Sequence, residues 1–465
     1  MLAARLVAAG IAALTVGLAA TGATAAKSAR AEPAPGPLRV LAANPRYFTD
    51  GSGRAVYLTG SHVWSNLVGE HLWLPCSEPL RPFDYGAYLD RLALHGHNFM
   101  RMWRIEHSHW EECNRTLDIH QHPWPRTGPG TALDGRPRFD LSRFDESYFQ
   151  RLRERVHTAG ARGIYVSIML FEGVQLQQAY EPWDWAGHPF NGANNVNGIE
   201  GDVNGDGEGL EVNMLASPAV LAVQEAYVRK VVDTVNDLDN VLYEIVNESG
   251  HYSTAWQYHM IRRVKAYERT KPQRHPVGMT FQHSHGANAS LFASPADWIS
   301  PFGRAYMTDP PVATGGKVVL SDTDHHCGIC GEPSFAWRSF LRGHNPIFMD
   351  PLDDDPTRQA VRSALGQTRR YARRVDLRAV RPRPRLASTR YALVAQGRQY
   401  LVYQPRSGPF RVDLRRGRRR FAVEWFRPET DTRRRTGSVA GGRLRTFRPP
   451  FSGPAVLLLR ALPRR

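Results

Sequence analysis

The sequence lacks the repeats of fibrous and solenoid proteins. No collagen-like triplet, heptad pattern or longer repeat occurs in its 465 residues, and these architectures are therefore excluded. It is not poor in apolar residues either: 42% of the chain is hydrophobic and 10% is aromatic, which excludes an intrinsically disordered protein. The length suggests about three average domains, or one α/β barrel with a smaller second domain.

Lysine is absent from residues 357–465. This segment contains 29 Arg and 5 acidic residues, a net charge of +24, whereas residues 1–356 carry −8. A basic segment of this kind can bind nucleic acid, an anionic polysaccharide or another polyanion. No nucleic-acid-binding motif accompanies the charge, so we interpret the arginines as solvent-facing surface and predict no nucleic-acid partner.

Beyond the N-terminus, no segment is apolar enough to cross a membrane. Residues 1–5 carry one positive charge, residues 7–26 are uncharged and rich in Ala and Leu, and residues 23–25 read Ala-Thr-Ala. This pattern is typical of a cleaved signal peptide. We therefore predict a signal peptide over residues 1–26, a linker over residues 27–37, and a secreted protein with no stable membrane anchor after cleavage.

Cysteine is scarce, with four residues in the whole chain. In an exported protein this number predicts two disulfides. Among the three pairings we favour Cys76–Cys113 with Cys327–Cys330, because the last two are close in sequence. A redox or zinc role for Cys327 and Cys330 is disfavoured, since neither a thioredoxin-like context nor a second C-x-x-C motif is present.

Short apolar runs alternate with amphipathic stretches, the rhythm of βα units. Eight such runs are found at residues 55–58, 98–103, 163–170, 240–246, 276–280, 298–301, 317–320 and 346–349. Eight buried parallel strands are what a (β/α)8 TIM barrel requires. The predicted fold class is therefore α/β, with the barrel over residues 38–380.

After residue 385 the pattern changes to short runs that alternate in polarity, separated by Gly, Pro and Arg. The runs lie at residues 391–395, 399–404, 410–414, 420–426 and 455–460. They predict a small antiparallel β-sandwich over residues 385–465.

Polar residues just past the strand ends of such a barrel build its active site. Here they are carboxylates, imidazoles and tryptophan, which suit a sugar, because aromatic rings stack on sugar rings and carboxylates perform acid/base and nucleophilic steps. The predicted substrate-binding residues are His62, Trp64, Asn66, Arg101, Arg104, Glu106, Glu172, Asn247, His283, His325 and Asp350.

The most specific motif is VLYEIVNE at residues 241–248. An apolar strand that ends in Asn-Glu resembles the acid/base strand of clan A glycoside hydrolases, and Arg101 matches the buried arginine of that clan. The resemblance implies that Glu248 is the general acid/base and that Asn247 holds the 2-hydroxyl of the sugar. A carboxyl that is partly desolvated beside another acid should have a raised pKa and stay protonated until needed.

The clan has its nucleophile, a Glu, at the end of the seventh strand, and here the sequence departs from the pattern. Residues 318–326 read VVLSDTDHH, with Asp322 and Asp324 but no Glu. Asp322 is the nearer match by position, and both are candidates for the second carboxylate. A retaining mechanism, with carboxyl groups about 5–5.5 Å apart, is favoured, and the shorter Asp leaves inversion at about 6.5–9.5 Å open.

More broadly, residues 38–463 resemble secreted bacterial cellulase-like barrels that are followed by a small β-sandwich named as a collagen-binding domain of a collagenase. The matching stretches are residues 44–50, 58–64, 96–104 and 340–351 in the barrel and 399–403, 423–430 and 447–459 in the sandwich. The resemblance implies the fold and a glycan substrate. It does not define the sugar, and we interpret the sandwich as a structural brace.

One loop, residues 202–208, has the pattern with which calcium loops begin. Asp202, Asn204, Asp206 and Glu208 alternate, with Gly after the third of them, but the twelfth position is Asn213, so the loop is not an EF-hand. The pattern leaves two interpretations open, a structural calcium site and a polar surface loop, and we predict no cofactor for the chemistry.

Two alternatives to a glycoside hydrolase stay open. A catalytically inactive carbohydrate- or matrix-binding protein would explain the missing Glu of the seventh strand. A metal-dependent hydrolase would use the pairs His107/His109 or His283/His285.

Overall fold

The computed structural model describes residues 36–463, except residues 71, 73–75, 80, 113–114, 178–184 and 284. The predicted signal peptide and most of the predicted linker lie outside the described residues. Within the described ranges, every helix is too short or too polar to cross a bilayer. Residues 36–463 belong to a single compact unit.

Eight parallel strands form the predicted barrel. They are β1 (Gly60–His62), β2 (Phe99–Met102), β3 (Tyr165–Glu172), β4 (Val241–Asn247), β5 (Val277–Thr280), β6 (Trp298–Ser300), β7 (Val318–Asp322) and β8 (Asn345–Met349). Each strand from β2 to β8 pairs in parallel with the next, and β8 pairs with β1. The amide of Asn98 donates to the carbonyl of Thr59 at 3.0 Å and closes the barrel between β1 and β2.

The position predicted for the first strand is wrong by a few residues. The apolar run at residues 55–58 contributes Ala55–Val56 to a three-stranded antiparallel sheet with Arg39–Val40 and Phe48–Thr49. The barrel strand itself is the polar β1. Gly60 is needed there because an added Cβ would lie 2.0 Å from the carbonyl oxygen of Phe99.

Ten α-helices cover the barrel or cap its loops. They are α1 (Tyr85–Leu94), α2 (Glu146–Gly160), α3 (Val174–Gln177), α4 (Pro218–Val235), α5 (Thr254–Glu268), α6 (Asn288–Ala293), α7 (Ala305–Thr308), α8 (Asp324–Cys327), α9 (Pro333–Leu341) and α10 (Pro356–Ala372) among the described residues. Asp84, Asp145 and Ser217 accept backbone N–H groups at the starts of α1, α2 and α4, as N-caps do.

The C-terminal region consists of antiparallel strands. They are β9 (Arg381–Pro382), β10 (Ala392–Ala395), β11 (Gln399–Gln404), β12 (Phe410–Asp413), β13 (Arg420–Arg427), β14 (Thr432–Ala440), β15 (Leu444–Phe447) and β16 (Ala455–Ala461). One sheet has the order β9-β10-β11-β16-β13-β14, and β12 pairs with β15. Phe410 and Phe447 of that pair share a core with Val402 and Leu457 of the larger sheet.

The C-terminal sheet packs against helices of the barrel. Trp337 of α9 stacks on Tyr403 with ring centroids 6.1 Å apart, and Tyr371 of α10 lies 5.1 Å from the ring of Phe426. These rings belong to one continuous buried cluster. The arginines of β14 are exposed, as the sequence predicted for solvent-facing residues.

The disulfide Cys327–Cys330 is present, as predicted. It joins the last residue of α8 to the loop before α9. Cys76 is also disulfide-bonded, and Cys113 lies outside the described residues.

Candidate active site

A single buried arginine organises the interior of the barrel near the carboxyl ends of the strands. Arg101 of β2 is 1% exposed, and its guanidinium donates to Glu244, Asn247, Asp322 and Asp324 at 2.5–3.1 Å. Burial alone would lower the pKa of Arg101, but Glu244 and the two aspartates outweigh burial and raise that pKa well above its ordinary value. The arginine therefore stays charged and links β2, β4 and β7.

Asp322, at the end of β7, is committed to this internal network. It is completely buried, and it accepts hydrogen bonds from His62 Nε2 at 3.0 Å and from Arg101 at 3.1 Å. Trp103 Nε1 donates to His62 Nδ1 at 2.9 Å, which leaves the imidazole proton on Nε2. Burial would raise the pKa of Asp322, but His62 and Arg101 overcome that effect and lower it. Asp322 is thus an ionised anchor.

Asp324, two residues after the end of β7, and Glu248, one residue after the end of β4, face each other. Glu248, Asp324 and His325 each offer one ligand atom, and these atoms lie within 4.8 Å of one another. The Asp324 side chain is 6% exposed and accepts from Arg101 at 2.7 Å. Two carboxyl groups of the sequence hypothesis, Glu248 and Asp324, are therefore close together, while Asp322 binds His62 and Arg101.

Burial and neighbouring negative charges raise the pKa values of both carboxyl groups of this pair, so that each keeps its proton to a higher pH than usual. Burial raises the pKa of Glu248 well above its ordinary value, and Asp324 and Glu172 raise it further. The pKa of Asp324 is also raised, chiefly by burial, although Arg101 acts in the opposite direction. The site thus combines two carboxyl groups of raised pKa with one guanidinium that partly neutralises them, which suits one acid and one carboxylate.

The backbone of Glu248 has an unusual conformation. Its φ angle is +49°, in the left-handed region that residues other than Gly, Asn and Asp rarely adopt. The residue follows directly after the last residue of β4. Such local strain is concentrated at functional sites, where it positions a side chain.

Glu172, at the end of β3, is a further carboxyl group near Glu248. It is completely buried and accepts the amide of Val174 at 2.7 Å. Burial raises its pKa to about 8, and the nearby Glu106 contributes to the rise. Glu172 is therefore a neutral hydrogen-bonding group at neutral pH.

The raised pKa of Glu172 makes stability depend on pH. In the unfolded chain this carboxyl ionises near pH 4.3, whereas the folded state holds its proton up to about pH 8. Its contribution to stability is complete below about pH 4 and is lost as the pH rises through 8. We expect Glu172→Gln to raise the melting temperature by about 2–4 °C at pH 8, relative to the wild type, and to leave it unchanged at pH 4.

Thermal unfolding followed by circular dichroism at the two pH values measures this difference. The exposed Glu154 supplies the matched control, Glu154→Gln. An equal change at pH 4 and pH 8 would contradict the assignment of the proton to Glu172.

Arg104 and Glu106, two further predicted site residues, lie next to Glu172. They form a buried ion pair at 2.9 Å. The guanidinium of Arg104 donates to the carbonyl of Leu170 at 2.6 Å and lies 4.2 Å from the ring centroid of Tyr227. Glu106 accepts the amide of Glu172 at 2.9 Å. This pair supports the end of β3.

Asn247 and His325 border the carboxyl pair. Asn247 Oδ1 accepts from Arg101 at 2.6 Å, and its side chain also hydrogen-bonds Glu172. His325 Nδ1 lies 2.8 Å from the hydroxyl of Ser300, and burial holds the pKa of His325 well below its ordinary value. The imidazole is therefore neutral.

Trp64 belongs to an aromatic wall that sequence reasoning found only in part. It is partly exposed, and its ring lies 5.4 Å from Trp103 and 4.8 Å from Trp110. Trp103 also lies under the guanidinium of Arg101 at 5.0 Å. The position of Trp103 directly after β2 was a signal for it, whereas nothing in the sequence pattern indicated Trp110.

Three further predicted substrate-binding residues are Asn66, Asp350 and His283. Asn66 is buried and bonds the backbone of Arg101 and Trp103 at 2.7 and 2.9 Å. Asp350 is bound by Arg362 at 2.5 and 2.8 Å. His283 is exposed. Residues at strand ends therefore divide between the site and the support of the barrel.

The predicted calcium residues lie in the long insertion between α3 and α4. The structure brings Asp202 and Asp206 together with Glu211 rather than with Glu208: one oxygen of each of these three carboxylates lies within 4.8 Å of the others. The amide of Asn204 donates to Asp206 at 2.7 Å and to Glu211 at 2.8 Å. Glu211, the tenth residue counted from Asp202, thus takes the place predicted for Glu208, the seventh.

Comparison with solved structures defines the class of fold. A structure described as a glycoside hydrolase aligns with a TM-score of 0.60 at 12% identity, covering 94% of this chain and 99% of that chain. A glycoside hydrolase family 5 protein from Bacteroides vulgatus aligns with a TM-score of 0.57 at 13% identity, covering 92% and 94%. The chain therefore has the fold of these glycoside hydrolases.

Comparison of sequences is more restricted. Residues 83–285 match the family described as domain of unknown function DUF6298. This stretch includes strands β2 to β5 of the barrel and contains Arg101, Glu172 and Glu248. No curated protein matches the chain.

Proposed function

We propose that the protein is a secreted glycoside hydrolase that cleaves O-glycosidic bonds with Glu248 as general acid/base and Asp324 as the second carboxylate. The observation that supports this proposal is the carboxyl pair, whose oxygens lie within 4.8 Å of each other. The fold and the aromatic wall of Trp64, Trp103 and Trp110 agree with a sugar substrate.

The spacing of the pair favours retention of the anomeric configuration. Retaining enzymes have their carboxyl groups about 5–5.5 Å apart, whereas inverting enzymes need about 6.5–9.5 Å to admit a water molecule. In this proposal the protonated Glu248 donates its proton to the leaving oxygen while Asp324 attacks the anomeric carbon. Glu248 then deprotonates the water that releases the sugar from Asp324.

The neighbouring residues have distinct tasks. Arg101 keeps Asp324 oriented and favours its ionised form, Asp322 and His62 fix Arg101 from the other side, and Asn247 is placed to hold a sugar hydroxyl. The C-terminal domain, which we propose is a β-sandwich, acts as a brace because it shares a buried core with α9 and α10. We do not propose that this domain binds collagen.

A screen of polysaccharides and aryl glycosides with detection of new reducing ends tests the activity. We expect release of product from at least one glycan, and proton NMR of the first product should show the anomeric configuration of the substrate. Binding of glycans without release on the whole panel would instead support the inactive binding protein. Product of the opposite configuration would refute the retaining mechanism.

A metal-dependent hydrolase is the second candidate, since Glu248, Asp324 and His325 offer three ligand atoms within 4.8 Å. The guanidinium of Arg101, 2.7 Å from Asp324, disfavours it because a cation already neutralises that carboxylate. Full activity of the chelator-treated enzyme would eliminate this candidate.

A further inference from the structure

The insertion between α3 and α4 contains an uncompensated group of carboxylates. Asp202, Asp206 and Glu211 have oxygens within 4.8 Å of one another. Among the described residues, no Lys, Arg or His forms an ion pair with any of the three. The donor between Asp206 and Glu211 is the neutral amide of Asn204, which cannot balance their charge.

Two buried acceptors in the same turn have no donor. Glu211 is 8% exposed and its Oε2 has no hydrogen-bond partner among the described residues, and the same holds for Oδ1 of Asn213, which is 1% exposed. Both residues belong to one short 3-10 turn, Leu210–Asn213. Buried acceptors, and buried charges above all, are normally satisfied.

We propose that Asp202, Asp206 and Glu211 bind a divalent cation of the calcium class. Hard oxygen donors from carboxylates and amides are the ligands that Ca²⁺ prefers. A cation would balance the three carboxylates and would satisfy the acceptor that Glu211 leaves open. Glu208, which the sequence pattern favoured, lies outside this group.

The position of the group explains what the cation would stabilise. Val212, next to Glu211, accepts from Gln224 of α4 at 2.7 Å, and Gln224 accepts from Trp256 of α5 at 2.9 Å. The ring of Trp185 packs against Gly209, where an added Cβ would lie 2.1 Å from it. A cation at Glu211 therefore fixes the insertion to the helices that follow β3 and β4.

The insertion also reaches the segment after β2. The amide of Ser108 donates to the carbonyl of Gly187 at 3.0 Å, and the ring of His107 lies 5.2 Å from that of His188. The cation would thus order a wall of the barrel mouth without touching Glu248 or Asp324.

Calorimetric titration of the chelator-treated full-length protein with CaCl2, together with thermal unfolding in the presence and absence of Ca²⁺, tests the site. We expect one Ca²⁺ per chain and a rise in melting temperature of about 3–5 °C. Glu211→Gln should weaken binding at least about tenfold and remove most of that rise. Glu208→Gln, the matched control in the same loop, should behave like the wild type.

Several outcomes would overturn the proposal. These are no binding heat and no thermal shift in the wild type, an equal loss in Glu208→Gln, or a Glu211→Gln protein that is destabilised equally with and without Ca²⁺. Equal stabilisation by MgCl2 would contradict the choice of calcium. If Glu211→Gln does not fold, Asp206→Asn, at an exposed position, replaces it with the same expected loss.

Discussion

Glu248→Gln is expected to lower kcat/KM on a glycan about 10³-fold and to leave the fold intact. General acid catalysis contributes about 10²–10⁴-fold, and glutamine cannot donate the proton that the leaving oxygen needs. The effect should depend on the leaving group. For an aryl glycoside of the same sugar whose phenol is strongly acidic, cleavage needs no proton, and the loss in the first chemical step should be less than about tenfold.

The fold of the Glu248→Gln protein is checked by thermal unfolding. Its melting temperature should stay close to that of the wild type, because burial, Asp324 and Glu172 raise the pKa of Glu248 and the neutral amide has the same charge and nearly the same shape as the protonated carboxyl. Glu154→Gln, a change of the same kind on the surface, should keep full activity. An equal loss on both types of leaving group would contradict the role of Glu248 as the acid.

Asp324→Ala is expected to lower kcat/KM at least about 10⁴-fold, because it removes the group proposed to form the covalent intermediate. Sodium azide should restore turnover, since the small anion can enter the space left by the carboxylate. The azide nitrogen forms a bond to the anomeric carbon as the glycosidic C–O bond breaks, and Glu248 protonates the leaving oxygen. The glycosyl azide should have the anomeric configuration opposite to that of the substrate.

Asp322→Ala is the informative comparison, because the sequence made Asp322 the nearer match by position. This variant breaks the buried contacts with His62 and Arg101, which costs about 3–5 kcal/mol of stability. We expect a clear fall in melting temperature and no restoration by azide. Restoration of Asp322→Ala but not of Asp324→Ala would reverse the two assignments.

The sequence predicted the barrel and the neighbourhood of the site because both depend on local patterns. The apolar β4, which ends in Asn247 and is followed by Glu248, and Arg101 on β2 are recognisable without coordinates. The choice between Asp322 and Asp324 is not, because it depends on the turn at Thr323 into α8, which moves one carboxylate inward and the other towards Glu248. Asn66 and Asp350 follow strands as well, and contacts that no local pattern reveals hold their side chains: Asn66 bonds the backbone of Arg101 and Trp103, and Asp350 accepts from Arg362.

The dependence on local patterns also explains which elements the sequence did not predict. The β14 strand reads TRRRTGSVA, an exposed edge without the apolar alternation that reveals β10, β11 and β13. The short β1 reads GSH and lacks an apolar run, and at Gly60 its close approach to β2 leaves no room for a side chain. Glu211 was missed because a 3-10 turn, and not the spacing of an EF-hand, brings it beside Asp202.

The central position of Arg101 has a consequence for protein engineering. This side chain links three strands of the barrel by hydrogen bonds and also orients the proposed reactive groups. A substitution of Arg101 would therefore alter both the fold and the chemistry. Attempts to redirect the protein to a new sugar should therefore leave the interior untouched. The partly exposed Trp64 and Trp110 offer positions for redesign outside that internal cross-link.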